Sequence, residues 1–112
     1  MSTASKQALH DLTAIEAADL IQRRDISSLE LVEALLARIE RVEPTLRSFV
    51  AVDALGVRAA AKAADAALQA GQGTGALHGV PFAAKDIYDA EGLPTTAGYP
   101  PLAGTVATSE AF

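Results

Sequence analysis

Cysteine and tryptophan are both missing from the 112 residues of this chain. Without thiols, disulfides and thiolate metal sites are excluded, and a reducing cytoplasm is a compatible setting. Aromatic residues amount to only 4%; with alanine abundant, that scarcity points to closely packed helices. Positive charge is also in short supply. A net charge of −5 and an isoelectric point near 4.8 argue against a surface for nucleic acid or anionic membrane. No window approaches ~18 uninterrupted apolar residues, so no membrane-spanning helix is expected. The opening "MSTASKQALHDL" holds no apolar leader, which reads as a cytoplasmic start. Histidine occurs twice, as His10 and His78, and neither has a second ligand at metal-site spacing. No metal and no cofactor are expected.

What is present is a core-forming composition, half hydrophobic and 21% charged, with a mean hydropathy of +0.22. The length suits one ordinary domain. Residues 1–11 read as a flexible leader, followed by paired helices over 12–43. Thr13 and Glu16 have capping-box spacing, as do Ser27 and Glu30, with Ile26 and Leu31 placed as a hydrophobic staple. In the first helix Ile15, Ala18 and Ile21 or Gln22 form the stripe; in the second, Leu31, Leu35, Ile39 and Val42 do. Pro44 should end that helix near Glu43. "RSFVAV" predicts a strand over 47–52, and "DALGVRAAAKAADAALQAG" an alanine-rich helix over 53–70 closed by Gly71. "VPFAAK" is too short for a helix and reads as a buried strand within 79–86, with Pro81 near its start. The sum is an incomplete α/β unit, since a central strand needs neighbours on both edges. It is expected to be the N-terminal portion of a larger domain.

Few residues invite a chemical reading. "GQGTG", Gly71 to Gly75, lacks the Gly-Lys-Ser/Thr ending of a phosphate loop and follows a helix instead of opening one. Asp86, Asp89 and Glu91 have no glycine-pinned cation loop around them and read as caps and turn formers. His78 is expected to be structural. Lys85 stands apart, because it closes an apolar run at a strand end, where clefts of α/β sheets occur. On residue type alone a solvated ammonium is the ordinary reading. In a dry cleft, desolvation would instead disfavour the charged form and leave a neutral amine able to accept a proton.

Two blocks settle between these readings. "LTAIEAADLIQRRDISSLELVEALLARIERVEPTLRSFVAV" and "ALHGVPFAAKDIYDAEGLPTTAG" closely resemble the N-terminal portion of amidase signature hydrolases, from about Leu12 to the last residue. The order of paired helices, E-P-x-L-x-x-F-V, alanine-rich helix, H-G-V-P-x-x-x-K-D and G-L-P-T-T-A-G is kept. The resemblance implies an α/β/α fold with a mixed central sheet covered by helices, and an amidase that hydrolyses a carboxamide C–N bond through a Ser–cis-Ser–Lys triad. Lys85 would be its catalytic lysine. The two serines belong to a downstream Gly/Ser-rich segment, and Ser5, Ser27, Ser28, Ser48 and Ser109 do not occupy that motif. The implied partner is a small-molecule amide substrate, with no nucleic acid, no membrane and a homodimer left open; the implied location is the cytoplasm. The 112-residue chain by itself is expected to be inactive and poorly stable. Alternatives are the A subunit of a glutamyl-tRNA(Gln) amidotransferase, an allophanate-type hydrolase, or a non-catalytic helical interaction module.

Overall fold

The structure, a computed structural model, describes residues 8–73, 75–86, 88–99, 101, 104 and 106–108. The chain divides into two compact units. One takes the residues up to Leu46 together with Ala54–Pro81; the other takes Arg47–Asp53 and the residues from Phe82 onward.

The first unit is helical. A single 3-10 turn, Leu9–Asp11, precedes α1 (Ala14–Gln22), α2 (Ser28–Leu46) and α3 (Ala54–Gln69). Of the expected leader, residues 1–7 lie outside the described residues, while Leu9 packs against the core. Both capping boxes form. The Thr13 hydroxyl accepts from the Glu16 N–H at 3.1 Å and the Glu16 carboxylate accepts from the Thr13 N–H at 2.8 Å. Ser27 and Glu30 repeat the exchange at 3.0 and 3.1 Å. Each device satisfies two N–H groups that a helix start leaves without an intrahelical acceptor.

The buried stripe of α1 differs from the expected one. Ala17, Ala18, Leu20 and Ile21 are buried, whereas Ile15 is 80% exposed. Ile15 lies in the first turn, and the core gathers instead around Ala17, Leu20 and Ile21 with Ile26 and Leu31. In α2, Leu31 and Val32 are buried and Leu35 packs at the core's margin. α2 also continues through Pro44 to Leu46. Pro44 lacks the N–H that would donate to the Glu40 carbonyl, yet helical geometry persists to Leu46, and Arg47 at φ 48° follows it.

α1 and α3 close alike. After α1, the Asp25 N–H donates to the Leu20 carbonyl and the Arg24 N–H to that of Ile21, with Arg24 at φ 62°. After α3, the Gln72 N–H donates to Ala67 and that of Gly71 to Leu68, with Gly71 at φ 75°. These are Schellman closures, and the expected glycine stop is the second of them. Arg24 occupies a left-handed position that costs a side chain roughly 1–2 kcal/mol. Its guanidinium donates to the Leu68 carbonyl at 3.0 Å, tying the end of α1 to the end of α3.

The second unit has no helix longer than a turn and no strand among the described residues. Pro94 and Val106 form an isolated antiparallel bridge, flanked by Gly92 N–H to Ala107 carbonyl (2.9 Å) and Ala107 N–H to Leu93 carbonyl (3.0 Å). The segments read as strands, 47–52 and 79–86, form no ladder. A β-forming composition describes how side chains suit a pleated surface; it does not supply the neighbouring strand that makes one. The mixed sheet expected from the resemblance is therefore not seen among the described residues. No helix among them is long and apolar enough to cross a membrane.

Candidate active-site segment

The H-G-V-P stretch is docked onto the helices by three contacts that its residue types dictate. His78 Nε2 lies 2.8 Å from the Ala64 carbonyl on α3. Ser28, 2% exposed at the start of α2, donates its hydroxyl to the Gly79 carbonyl at 2.5 Å. Gly79 itself sits at φ 81°, and a Cβ there would meet Ser28 Cβ at 3.3 Å and Ile21 Cγ2 at 3.4 Å. Glycine is required twice over, by backbone hand and by close approach. Val80 then packs against the core. His78 thus has a structural role here, as its isolation in the sequence suggested.

The same corner holds a contact that sequence reading missed. Asp65, in the C-terminal half of α3, accepts from the Ser28 N–H at 2.7 Å and the Leu29 N–H at 3.1 Å. It caps α2 from another helix, beside the cap that Ser27 supplies locally. A carboxylate suits that place because the helix N-terminus carries partial positive charge. No spacing rule would have found it, since the two partners are separated by 37 and 36 positions.

In the second unit Lys85 is exposed. Its carbonyl accepts from the Tyr88 N–H at 3.0 Å, and no ion pair involves it among the described residues. Its neighbour Asp86 is more elaborately bound. The Asp86 carboxylate accepts from the Thr96 N–H at 2.8 Å, from the Thr96 hydroxyl, and from the Gly98 N–H at 3.4 Å. The Asp86 carbonyl accepts from the Ala97 N–H at 2.8 Å. Donation by the Thr96 hydroxyl, then by its N–H, holds the Asp86 carboxyl below its ordinary range; desolvation opposes them, and the Gly98 N–H adds the least.

Thr96 is 5% exposed. The Tyr99 N–H donates to its carbonyl at 2.7 Å, and Ala97 and Gly98 between them have φ values of 50° and 73°. Two positive φ angles in succession define a type I′ turn. The K-D and T-T-A-G blocks, 10 positions apart at Asp86 and Thr96, are thus one hydrogen-bonded object. The expectation that Asp86 forms a turn is met in this sense, while Asp89 and Glu91 remain exposed. The neighbouring Thr95 Oγ1 is buried with no hydrogen-bond partner among the described residues.

The remaining candidates are brought to no shared site. His10 faces Asp11 at 3.5 Å. Ser27 caps α2 and Ser28 binds Gly79; Ser48 is exposed, and Ser5 and Ser109 lie outside the described residues. Thr74 of "GQGTG" is also outside them, while Gly71 serves the closure of α3. No group of His, Asp and Glu side chains placed to hold a metal ion occurs among the described residues.

Comparison with known proteins accounts for the shared blocks. The family model described as Amidase matches residues 30–112. The A subunit of the glutamyl-tRNA(Gln) amidotransferase of Roseiflexus castenholzii is 49% identical over 88 residues, covering 79% of this chain and 18% of that protein. The corresponding A subunit of Myxococcus xanthus is 46% identical over 98 residues, covering 88% and 20%. An acylamidase of Rhodococcus erythropolis is 37% identical over 107 residues, covering 96% and 22%. The match takes in Lys85, Asp86 and the T-T-A-G turn together with α3 and all but the first two residues of α2, so the chain belongs to the amidase family. It spans about a fifth of the length of the curated relatives it matches.

Proposed function

We propose that this chain supplies the general base, Lys85, of an enzyme that hydrolyses a carboxamide C–N bond. The observation that carries the reading is the placement of Lys85 at the end of the H-G-V-P-x-x-x-K-D block in a chain of the amidase family. The Lys85 amine takes a proton from a bridging serine, which takes one from the nucleophilic serine. The nucleophile's oxygen attacks the carboxamide carbon, the C–N bond breaks, and the proton returns to the nitrogen that leaves as ammonia or an amine. Water then hydrolyses the acyl ester. Positioned proton transfer of this kind contributes about 10²–10⁴-fold in rate.

Both serines come from a Gly/Ser-rich segment outside these 112 residues, which makes the chain inactive alone. The exposed amine of Lys85 is accessible to them, and that segment encloses it in the complete fold. There, segments 47–52 and 79–86 become strands of a mixed sheet covered by helices, because neighbours complete their ladders. The substrate is a small amide, no cofactor takes part, and the cytoplasm is the setting.

A second reading is supported by the 46–49% identity to amidotransferase A subunits: the same triad would then act on glutamine, with partner proteins receiving the ammonia. One assay separates the two. The full-length gene product is tested for ammonia release from glutamine and from simple aliphatic and aryl amides, alongside Lys85→Ala. Loss of at least about 100-fold in turnover by the folded variant supports the base assignment; full turnover by Lys85→Ala removes it.

A further inference from the structure

We propose that Asp86 and Thr96 are a positioning pair that sets the direction of the Lys85 main chain, and with it the reach of the amine; the proposal rests on Lys85 being the base. A lysine side chain has four methylenes, so its nitrogen can be delivered to a fixed hydroxyl only if the Cα and its backbone are held. Displacement by about 1 Å is enough to cost about 100-fold in rate. Nothing in the described structure holds Lys85 through a strand ladder. The Lys85 carbonyl accepts from the Tyr88 N–H at 3.0 Å, and the next residue supplies the larger set of contacts at this point of the chain.

Asp86 is gripped at both main chain and side chain by the single stretch 96–98. Its carbonyl takes the Ala97 N–H, and its carboxylate takes the Thr96 N–H, the Thr96 hydroxyl and the Gly98 N–H. The Thr96 and Gly98 N–H groups reach the carboxylate, while the Ala97 N–H between them takes the main-chain carbonyl. The lowered carboxyl range of Asp86 keeps it an ionised acceptor to more acid pH than an ordinary aspartate. Because its oxygens are engaged by these donors, Asp86 anchors Lys85 without pairing with its amine.

The turn that grips Asp86 is itself strained. Ala97 at φ 50° has a conformation that a residue bearing Cβ ordinarily avoids. Such strain persists where surrounding contacts over-determine it, and the surrounding contacts are those to Asp86. Thr96 is, among the described residues, the buried residue of this unit. Its burial therefore serves the carboxylate and not an apolar core.

The test compares four variants in the full-length gene product, with rates normalised to folded protein by circular dichroism. Thr96→Val, which keeps shape but removes the hydroxyl, is expected to lower kcat by about 10- to 100-fold with KM within about two-fold. Thr96→Ser should restore kcat to within about three-fold of the parent, and Asp86→Asn should repeat the kcat loss. The fourth variant, Lys85→Ala, reports on the base assignment. If Lys85→Ala is silent while Thr96→Val and Asp86→Asn turn over like the parent, the positioning role is overturned and the base stands. If Lys85→Ala keeps turning over, the base assignment fails first. A rise in KM with kcat intact would assign the pair to substrate binding and overturn the proposal. Should Thr96→Val fail to fold, the kcat of Asp86→Asn together with the extent of rescue in Thr96→Ser decides.

Discussion

Among the described residues, the helical unit buries Ala17, Ala18, Leu20, Ile21, Ile26, Leu31, Val32 and Ala61, whereas the unit containing Lys85 buries Thr96 and leaves Phe82 79% exposed. The helical unit has an apolar core besides its hydrogen bonds to Asp65 and Gly79, whereas the other is gathered by hydrogen bonds to a carboxylate. Apolar burial contributes about 1.5–3 kcal/mol for a large side chain, while a hydrogen bond contributes about 0.5–1.5 kcal/mol net. The second unit therefore belongs to the low-stability end of the chain, from which functional segments are commonly drawn. Its local geometry is nonetheless well specified, because directional contacts to Asp86 do what packing does elsewhere.

Three experiments would break or sharpen that contrast. The largest effect is expected from Ile21→Ala, since Ile21 is 0% exposed at the centre of the core. It should destabilise the helical unit by about 2–5 kcal/mol, read by urea unfolding followed by far-ultraviolet circular dichroism. If the Thr96 and Gly98 amides keep their hydrogen-exchange protection in that variant, the two units are stabilised independently; joint loss would make them one cooperative body.

Asp65→Ala should cost about 1–2 kcal/mol, because it leaves the Ser28 and Leu29 N–H groups without their carboxylate. Faster exchange at those two amides, with α3 still helical, is the expected signature. Unchanged exchange would show that the Ser27 cap alone suffices.

The smallest effect concerns acid. The folded Asp86 carboxyl titrates below its ordinary value of 3.8, so its stabilising contribution is fully present above that value. It is lost only as pH falls through the lowered folded value. A nuclear magnetic resonance titration of the Thr96 amide should therefore show its midpoint below 3.8. A midpoint at or above the ordinary value would remove the account of how the Thr96 turn is held.

Much of the helical unit is legible in the sequence. Thr13 with Glu16, Ser27 with Glu30, and Gly71 after the alanine-rich helix are signals whose partners lie within a few positions, so local chemistry fixes them. Ile15 and Pro44 depart from the sequence expectation for a related reason. Periodicity says which residues share a face but not which face meets the core, and a proline disfavours helical geometry at the residue before it without forbidding it. The importance of Lys85 was visible only through the resemblance of its surrounding blocks, since a lysine ending an apolar run has no distinguishing pattern of its own. The contacts of Asp65 and Thr96 left no local trace at all.

By itself, then, the sequence determined where helices start and stop and, through its motif order, which family the chain joins. These depend on interactions between residues close along the chain. The tertiary structure alone decided that Asp65 caps a different helix, that Gly79 must lack a side chain beneath Ser28 and Ile21, and that Asp86 is held by the Thr96 turn. Those contacts form only when distant segments are brought within hydrogen-bonding or van der Waals range, and no spacing along the chain encodes that distance.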